Sequence, residues 1–355
     1  MSYFDFKFVW IFFSTFILSL ILTKVVLHLA TKYQIVDKPD NARKIHKKPI
    51  PLLGGFSIYL TLLVLSLYLY ATHQLLDAKL SLAKIIAFFV AGLILMVFGL
   101  LDDKYALKAK ISIWGPILAS VVMLIDGVKV SYLTSWQGGV WYFENFFGDL
   151  ANLVMLAITF LWLLGMTYTT KVLDGLDGLV SSLGLVASFI IFLVSLSWDV
   201  SGSTTSLLSL GLAGAILGFL VWNFHPAKIF LGESGSTFIG FALGVLSILS
   251  GAKIATALLV MGLPALDVLW VIIRRLKNKQ AFWQGDNQHH LHFRLLKLGL
   301  SQRQVVLLYS FLALLFGAVS IFFTTKAKLS ALVLLLFFML ILSYWLNYKT
   351  HEKHT

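Results

Sequence analysis

The spacing of apolar runs constrains this chain more than any single residue does. Eleven of them, roughly 8–30, 53–71, 83–101, 110–125, 149–167, 178–197, 205–222, 235–250, 254–273, 305–323 and 329–346, recur along almost the whole length. Crossing the hydrocarbon core of a bilayer takes about 20 predominantly apolar residues in an α-helix, and backbone polar groups in lipid must be satisfied within the span. The runs therefore predict an all-α integral membrane protein with about eleven transmembrane helices, the fourth being short. Charged residues make up 12% of the 355 positions, about half the share usual in soluble domains. The first run lacks a basic leader and a small-residue cleavage pattern, so it reads as a retained helix and not as a signal peptide. With no repeat, low-complexity tract or long linker, residues 1–355 read as a single polytopic domain.

The basic residues give an orientation. With the N-terminus outside, segments 31–52, 102–109, 168–177, 223–234, 274–304 and 347–355, together with Lys110, hold 20 of the 28 Lys and Arg residues. Seven lie on the opposite side and Lys24 lies within the first run. Membrane proteins concentrate Lys and Arg in cytoplasmic loops, which places those segments and the C-terminus in the cytoplasm. The net charge of +12 follows from the same bias and from attraction to anionic lipid, and implies no nucleic acid. The longest outer loop, about 126–148, alternates apolar and polar residues through Val128, Val130 and Tyr132 before Gly138-Gly139, the pattern of a small β-hairpin with aromatic interface anchors. Cysteine is absent, so any metal must be held by oxygen or imidazole.

Five cytoplasmic segments carry residues that are costly at a membrane edge. In the first, Asp37 and Asp40 precede Arg43, Lys44, His46, Lys47 and Lys48, then Pro49, Pro51 and the pair Gly54-Gly55. A positive loop explains the charges, while the prolines and glycines allow close backbone approach at a helix N-terminus, a place that favours anions. The second holds Asp102-Asp103 followed by Lys104, Lys108 and Lys110. Adjacent carboxylates are hard to keep ionised without a counter-cation, so the pair suits a divalent cation and the lysines suit phosphate oxygens; a solvated loop with ion pairs is the plainer account.

The third reads Lys171-Val-Leu-Asp-Gly-Leu-Asp-Gly-Leu. On a helix its spacing would put Asp174 and Asp177 on one face, with the glycines clearing room beside them. The fourth, Phe230-Leu-Gly-Glu-Ser-Gly-Ser, enters the eighth run. There Ser234 or Ser236 can cap a helix, and Glu233 among glycines and Ser236 forms an oxygen-rich corner for metal or phosphate. The fifth, from Asp286 through His290, His292 and Arg294, offers imidazoles and a guanidinium to a diphosphate, without the i, i+4 histidines of a helical metal site. Spans two, four, six and eight begin at the cytoplasmic face, so their positive dipole ends point there and a converging polyanion site follows. Asp267 lies deeper, and its sequence position leaves helix contact and site support equally open.

The order Asp37-x-Pro39, Arg43-Lys44-x-His46, Pro49-x-Pro51, Gly54-Gly55, Asp102-Asp103, Asp174-Gly-Leu-Asp177-Gly-Leu, Phe230-Leu-Gly-Glu-Ser-Gly-Ser, His290-Leu-His292-Phe-Arg294 resembles the polyprenyl-phosphate N-acetylhexosamine-1-phosphate transferases, over about residues 31–310. The Arg-Lys-x-His and His-Leu-His-Phe-Arg stretches look like the N-acetylglucosamine-1-phosphate branch more than the phospho-N-acetylmuramoyl-pentapeptide transferases, the alternative. The resemblance implies attack of an undecaprenyl or other polyprenyl phosphate on a UDP-N-acetylhexosamine at the plasma membrane, giving polyprenyl-diphospho-sugar and UMP, a first membrane step of envelope polysaccharide synthesis. It implies Mg²⁺, with Mn²⁺ as an alternative.

By the same resemblance Asp102 and Asp103 are the catalytic candidates and Glu233 and Asp102 the metal candidates. Asp174, Asp177, Lys171, His46, His290, His292 and Arg294 would face the nucleotide-sugar, and Lys110, Arg43 and Lys44 the phosphates. Four positions depart from the pattern: Ala106 where a third acid is usual, Lys171 for Asn, Glu233 for Asp and Phe293 for a third His. A catalytically silent scaffold would fit those departures. A secondary transporter predicts midplane charges and repeated halves, neither of which the sequence has. Oligomeric state is left open, with a homodimer among the options.

Overall fold

A computed structural model describes residues 6–39, 46, 48–74, 81–137, 139–198, 203–251, 254–279 and 289–352. The helices are α1 (Phe6–Lys32), α2 (Gly54–Ala71), α3 (Leu82–Tyr105), α4 (Ala109–Ser112), α5 (Trp114–Ile125), α6 (Phe143–Phe147) and α7 (Ala151–Leu173). They continue as α8 (Leu179–Trp198), α9 (Thr204–Asn223), α10 (Gly232–Leu249), α11 (Ile254–Lys277), α12 (Leu291–Lys297), α13 (Gln302–Phe322) and α14 (Thr325–Glu352). Among the described residues, ten helical segments are long and apolar enough to cross a membrane, and Ala109–Ile125 is a shorter apolar one. Each expected run thus has its helix. The chain is an all-α multi-span membrane protein.

Helices α9 and α10 are wrapped by their neighbours for most of their length. Lipid offers no hydrophobic drive between helices, so small residues and interhelical hydrogen bonds do the joining. Ser19 Oγ on α1 donates to the carbonyl of Ala215 on α9 at 2.6 Å, and Trp162 Nε1 on α7 donates to the carbonyl of Gly244 on α10 at 3.1 Å. The outer faces are the inverse of a soluble protein's: Ile17, Ile21 and Val25 on α1 and Phe311, Leu314 and Leu315 on α13 are exposed. That is the arrangement a hydrocarbon solvent selects.

Two antiparallel strand pairs complete the fold. β3 (Tyr132–Thr134) pairs with β4 (Val140–Tyr142), with Leu133 opposite Trp141, so the expected hairpin forms. Tyr132 Oη donates to the carbonyl of Gly251 at 2.7 Å, just beyond the C-terminus of α10. At about 1.5 Å per residue, the 18 residues of α10 separate that end from Glu233 at its N-terminus by about 27 Å. The hairpin and the acids therefore occupy opposite ends of the molecule. The pair β1 (Val36–Asp37) and β2 (Ile50–Pro51) was not foreseen.

Three expected loop boundaries shift. Helix α3 runs through Asp102 and Asp103 to Tyr105, α7 runs through Lys171 to Leu173, and α10 already includes Glu233. Apolar runs mark where lipid ends, whereas a helix continues until its backbone turns; Ala106, with φ of 49°, ends α3. Asp174 and Asp177 do not share a helix face either. They lie in the turn between α7 and α8, which closes on Gly178 with φ of 78°, a conformation glycine adopts without steric cost. The fourth run is also divided, at Ile113, between α4 and α5.

Candidate active site

The N-terminus of α10 organises the site. Neither Ser234 nor Ser236 caps it. Instead Asp103 Oδ1, from the last turn of α3, accepts a hydrogen bond from the backbone N of Glu233 at 2.9 Å, a cap supplied across the tertiary structure to the positive end of a helix dipole. Asp103 Oδ2 is buried and has no hydrogen-bond partner among the described residues. Beside it, Asp102 Oδ1 accepts from Leu107 N at 2.8 Å and Oδ2 accepts from Ser112 Oγ at 2.7 Å. The adjacent acids therefore diverge, one toward α10 and one toward α4.

Lys171, from the last turn of α7, joins them. Its Nζ lies 3.0 Å from Glu233 Oε2 and 3.5 Å from Asp102 Oδ2, and it donates to Ser112 Oγ at 2.9 Å. These four residues line one cavity together with the apolar Leu95, Phe98 and Pro116. The cavity is thus charged in one part and hydrocarbon-like in another.

The turn after α7 splits its two acids by task. Asp177 Oδ2 accepts from His225 Nδ1 at 2.7 Å and from Ala227 N at 3.0 Å, fastening the segment that leads into α10. Asp174 keeps exposed surface. The protein crowded around its carboxyl raises its pKa well above the usual carboxylate range, and the charges of Glu233, Asp103, Asp177 and Asp37 push the same way. An accessible carboxylate in that company gains from any bound cation.

Helix α12 closes over this turn. Gly175 makes the approach possible, since a Cβ there would meet the Phe293 ring at 2.8 Å and His292 Nε2 at 3.0 Å. Asp267 joins α11 to α12: its Oδ2 accepts from His290 Nδ1 at 2.9 Å and its Oδ1 from Leu291 N at 2.9 Å, capping α12 and fixing the His290 tautomer. His292 is fully buried, and neither ring nitrogen has a hydrogen-bond partner among the described residues. Burial, helped by His290, pushes its pKa down to about 3, so the ring is neutral.

The glycine pair does something other than bind an anion. The N–H groups of Gly54 and Gly55 donate to the carbonyls of Phe230 and Leu231 at 2.9 and 3.0 Å, so the N-terminus of α2 is satisfied inside the protein. His46 is engaged at both ring nitrogens, by the Lys48 carbonyl at 2.8 Å and Asp37 Oδ2 at 2.9 Å, and it fastens the β1–β2 bracket near Phe230, 5.5 Å away between ring centres. Arg294 is buried on α12. Lys110 is exposed on α4. Arg43, Lys44, Asp40 and Asp286 lie outside the described residues.

Two participants escaped sequence reasoning. Ser112 sits in an apolar run with nothing to mark it, and only the fold brings its hydroxyl between Asp102 and Lys171. His225 carried a usable signal, being an imidazole in the short polar segment between two apolar runs.

Known proteins resemble this chain over most of its length. The family described as glycosyl transferase family 4 matches residues 85–251. A probable undecaprenyl-phosphate N-acetylglucosaminyl 1-phosphate transferase of Bacillus subtilis is 33% identical over 335 residues, covering 91% of this chain and 86% of the relative. The decaprenyl-phosphate N-acetylglucosaminephosphotransferase of Mycobacterium tuberculosis is 33% identical over 343 residues, covering 90% and 83%. A phospho-N-acetylmuramoyl-pentapeptide-transferase of Carboxydothermus hydrogenoformans is 29% identical over 306 residues, covering 81% and 88%.

Proposed function

Since this chain belongs to glycosyl transferase family 4, we propose that its acidic cavity moves N-acetylglucosamine 1-phosphate from a UDP-sugar to a membrane polyprenyl phosphate, releasing UMP. The Bacillus subtilis and Mycobacterium tuberculosis relatives, named as N-acetylglucosamine phosphotransferases, are 33% identical to this chain, against 29% for the pentapeptide transferase. The observation that carries the reading is the two-natured cavity, with Asp102, Ser112, Lys171 and Glu233 beside Leu95, Phe98 and Pro116. A phosphate on a hydrocarbon tail needs both halves. The reaction exchanges one phosphate linkage for another, so the protein's task is to position two polyanions and offset their charge.

Mg²⁺ fits the chemistry of the donors, which are carboxylate oxygens in excess over nearby cationic groups. Among the described residues no three metal-ligating side chains form a ready cage. Mg²⁺ commonly takes one or two carboxylates, waters and substrate phosphates instead. Glu233 and Asp102 would hold it, with Asp174 accessible nearby; when bound, it would neutralise the donor diphosphate. Asp103 Oδ2 is buried against Gly232, outside the cavity lining and without a hydrogen-bond partner among the described residues, so it would have to be uncovered to take a proton from, or orient, the attacking lipid phosphate. The active face is cytoplasmic in this reading, at the plasma membrane, because the basic loops and the acids share that side.

UMP release by purified protein, given undecaprenyl phosphate, Mg²⁺ and a panel of UDP-sugars, tests the proposal. Release is expected with UDP-N-acetylglucosamine and is expected to fall at least about 100-fold in Asp102→Asn and in Asp103→Asn, since removal of one preorganised electrostatic group costs about that much. Folded protein that releases nothing with any donor would refute it.

A further inference from the structure

Lys171 occupies the space between the two carboxylates just assigned to the divalent cation. Ser112 Oγ donates to Asp102 Oδ2 at 2.7 Å and accepts from Lys171 Nζ at 2.9 Å, and the same ammonium lies 3.0 Å from Glu233 Oε2 and 3.5 Å from Asp102 Oδ2. The ring of contacts is closed and polar. The two departures Lys171 and Glu233 are thus one feature: the longer acid reaches the ammonium.

An ammonium and a divalent ion cannot share these oxygens. Mg²⁺ requires oxygen ligands at about 2.0–2.1 Å in near-octahedral geometry, and the like charge of Lys171 against Glu233 opposes its entry. The lysine arm is flexible and its ammonium is a mobile point charge, so it can withdraw when a better partner is offered. We infer that Lys171 is a resident cation that holds Asp102 and Glu233 together, competes with the divalent ion for them, and on displacement turns to the donor's diphosphate. The inference rests on the transferase reading only for the identity of that diphosphate. Metal and nucleotide-sugar then favour each other's binding, because each supplies what the other's arrival leaves unpaired, and such coupling is reciprocal.

Mn²⁺ binding to the full-length protein in detergent, followed by electron paramagnetic resonance of the free ion, reads the competition without any turnover. Lys171→Met is expected to bind Mn²⁺ about tenfold more tightly than the wild type, a size usual for coupled sites. Lys171→Arg, which keeps the charge, is expected to stay weak. Lys228→Met removes an exposed cation that rests on the Trp222 ring, 5.2 Å from its centre, and is expected to change affinity by less than about twofold because solvent screens it. If Lys171→Met does not fold, Lys171→Gln carries the same expectation.

Mn²⁺ affinity that is unchanged in Lys171→Met, raised equally in Lys228→Met, or undetectable in all variants would overturn the inference. The two claims fail separately. Tighter Mn²⁺ binding in Lys171→Met with no UMP release by the wild type would sink the transferase reading alone, and UMP release with unaltered Mn²⁺ affinity would sink only the competition.

Discussion

Asp177 Oδ2 accepts from both His225 Nδ1 and Ala227 N, whereas Asp174, in the same turn, has exposed surface and acidic neighbours. Their substitutions should therefore diverge. Asp177→Ala strands two part-buried donors and loosens the entry to α10, and is expected to cost about 1 kcal/mol of stability, read as a lowered melting temperature. Asp174→Asn, which relieves the repulsion among the crowded acids, should melt no lower than the wild type and lose transfer activity; the reverse pattern would exchange the two assignments. The repeated Asp-Gly motif announced both residues in the sequence. It could not divide them, because the division depends on His225, whose approach is set by tertiary structure. Likewise Asp102-Asp103 was legible as a pair, while the turn of helix that sends one side chain to α10 and the other to Ser112 was not.

At the level of elements, the helices were legible because lipid imposes apolar runs of a fixed length, and the hairpin because alternation and glycines survive in the segment between two of those runs. Their exact ends were not, since α3, α7 and α10 carry charged residues past the apolar boundary into the site. That extension is how the site is built: three helix ends meet, and rigid elements rather than loops hold Asp102, Asp103, Lys171 and Glu233. The meeting depends on close backbone contact between the starts of α2 and α10, where a Cβ on Gly55 would collide with the Cα and N of Gly235. Backbone cannot step aside as a side chain can. Gly55→Ala is expected to cost about 1–3 kcal/mol through overpacking and to lower transfer by displacing Glu233, measured by thermal melting in detergent and by UMP release. An alanine variant with wild-type melting and activity would contradict this packing.

For the whole molecule, pH connects burial to stability. His292 is held neutral, with a pKa of about 3 in the folded protein against about 6.5 for an unfolded histidine. Between those values the unfolded chain binds the extra proton, so stability rises with pH there and is lost as pH falls from about 6.5 toward 3. The melting temperature should drop across that window, and His292→Phe, which cannot protonate, should flatten the drop; an unchanged pH profile in the variant would refute the buried neutral ring. Around this interior the exposed apolar faces of α1 and α13 keep the molecule in lipid, where a polyprenyl substrate also resides. One end carries the hairpin and the other the acids, about 27 Å apart by the length of the 18-residue α10, so a lipid phosphate at one interface meets the whole reactive set.

Mass spectrometry of the lipid product decides the central claim. Purified protein given undecaprenyl phosphate, UDP-N-acetylglucosamine and Mg²⁺ should yield undecaprenyl-diphospho-N-acetylglucosamine, and Asp103→Asn should yield little or none. Unchanged undecaprenyl phosphate from folded wild-type protein, or an equal yield from Asp103→Asn, would contradict the account.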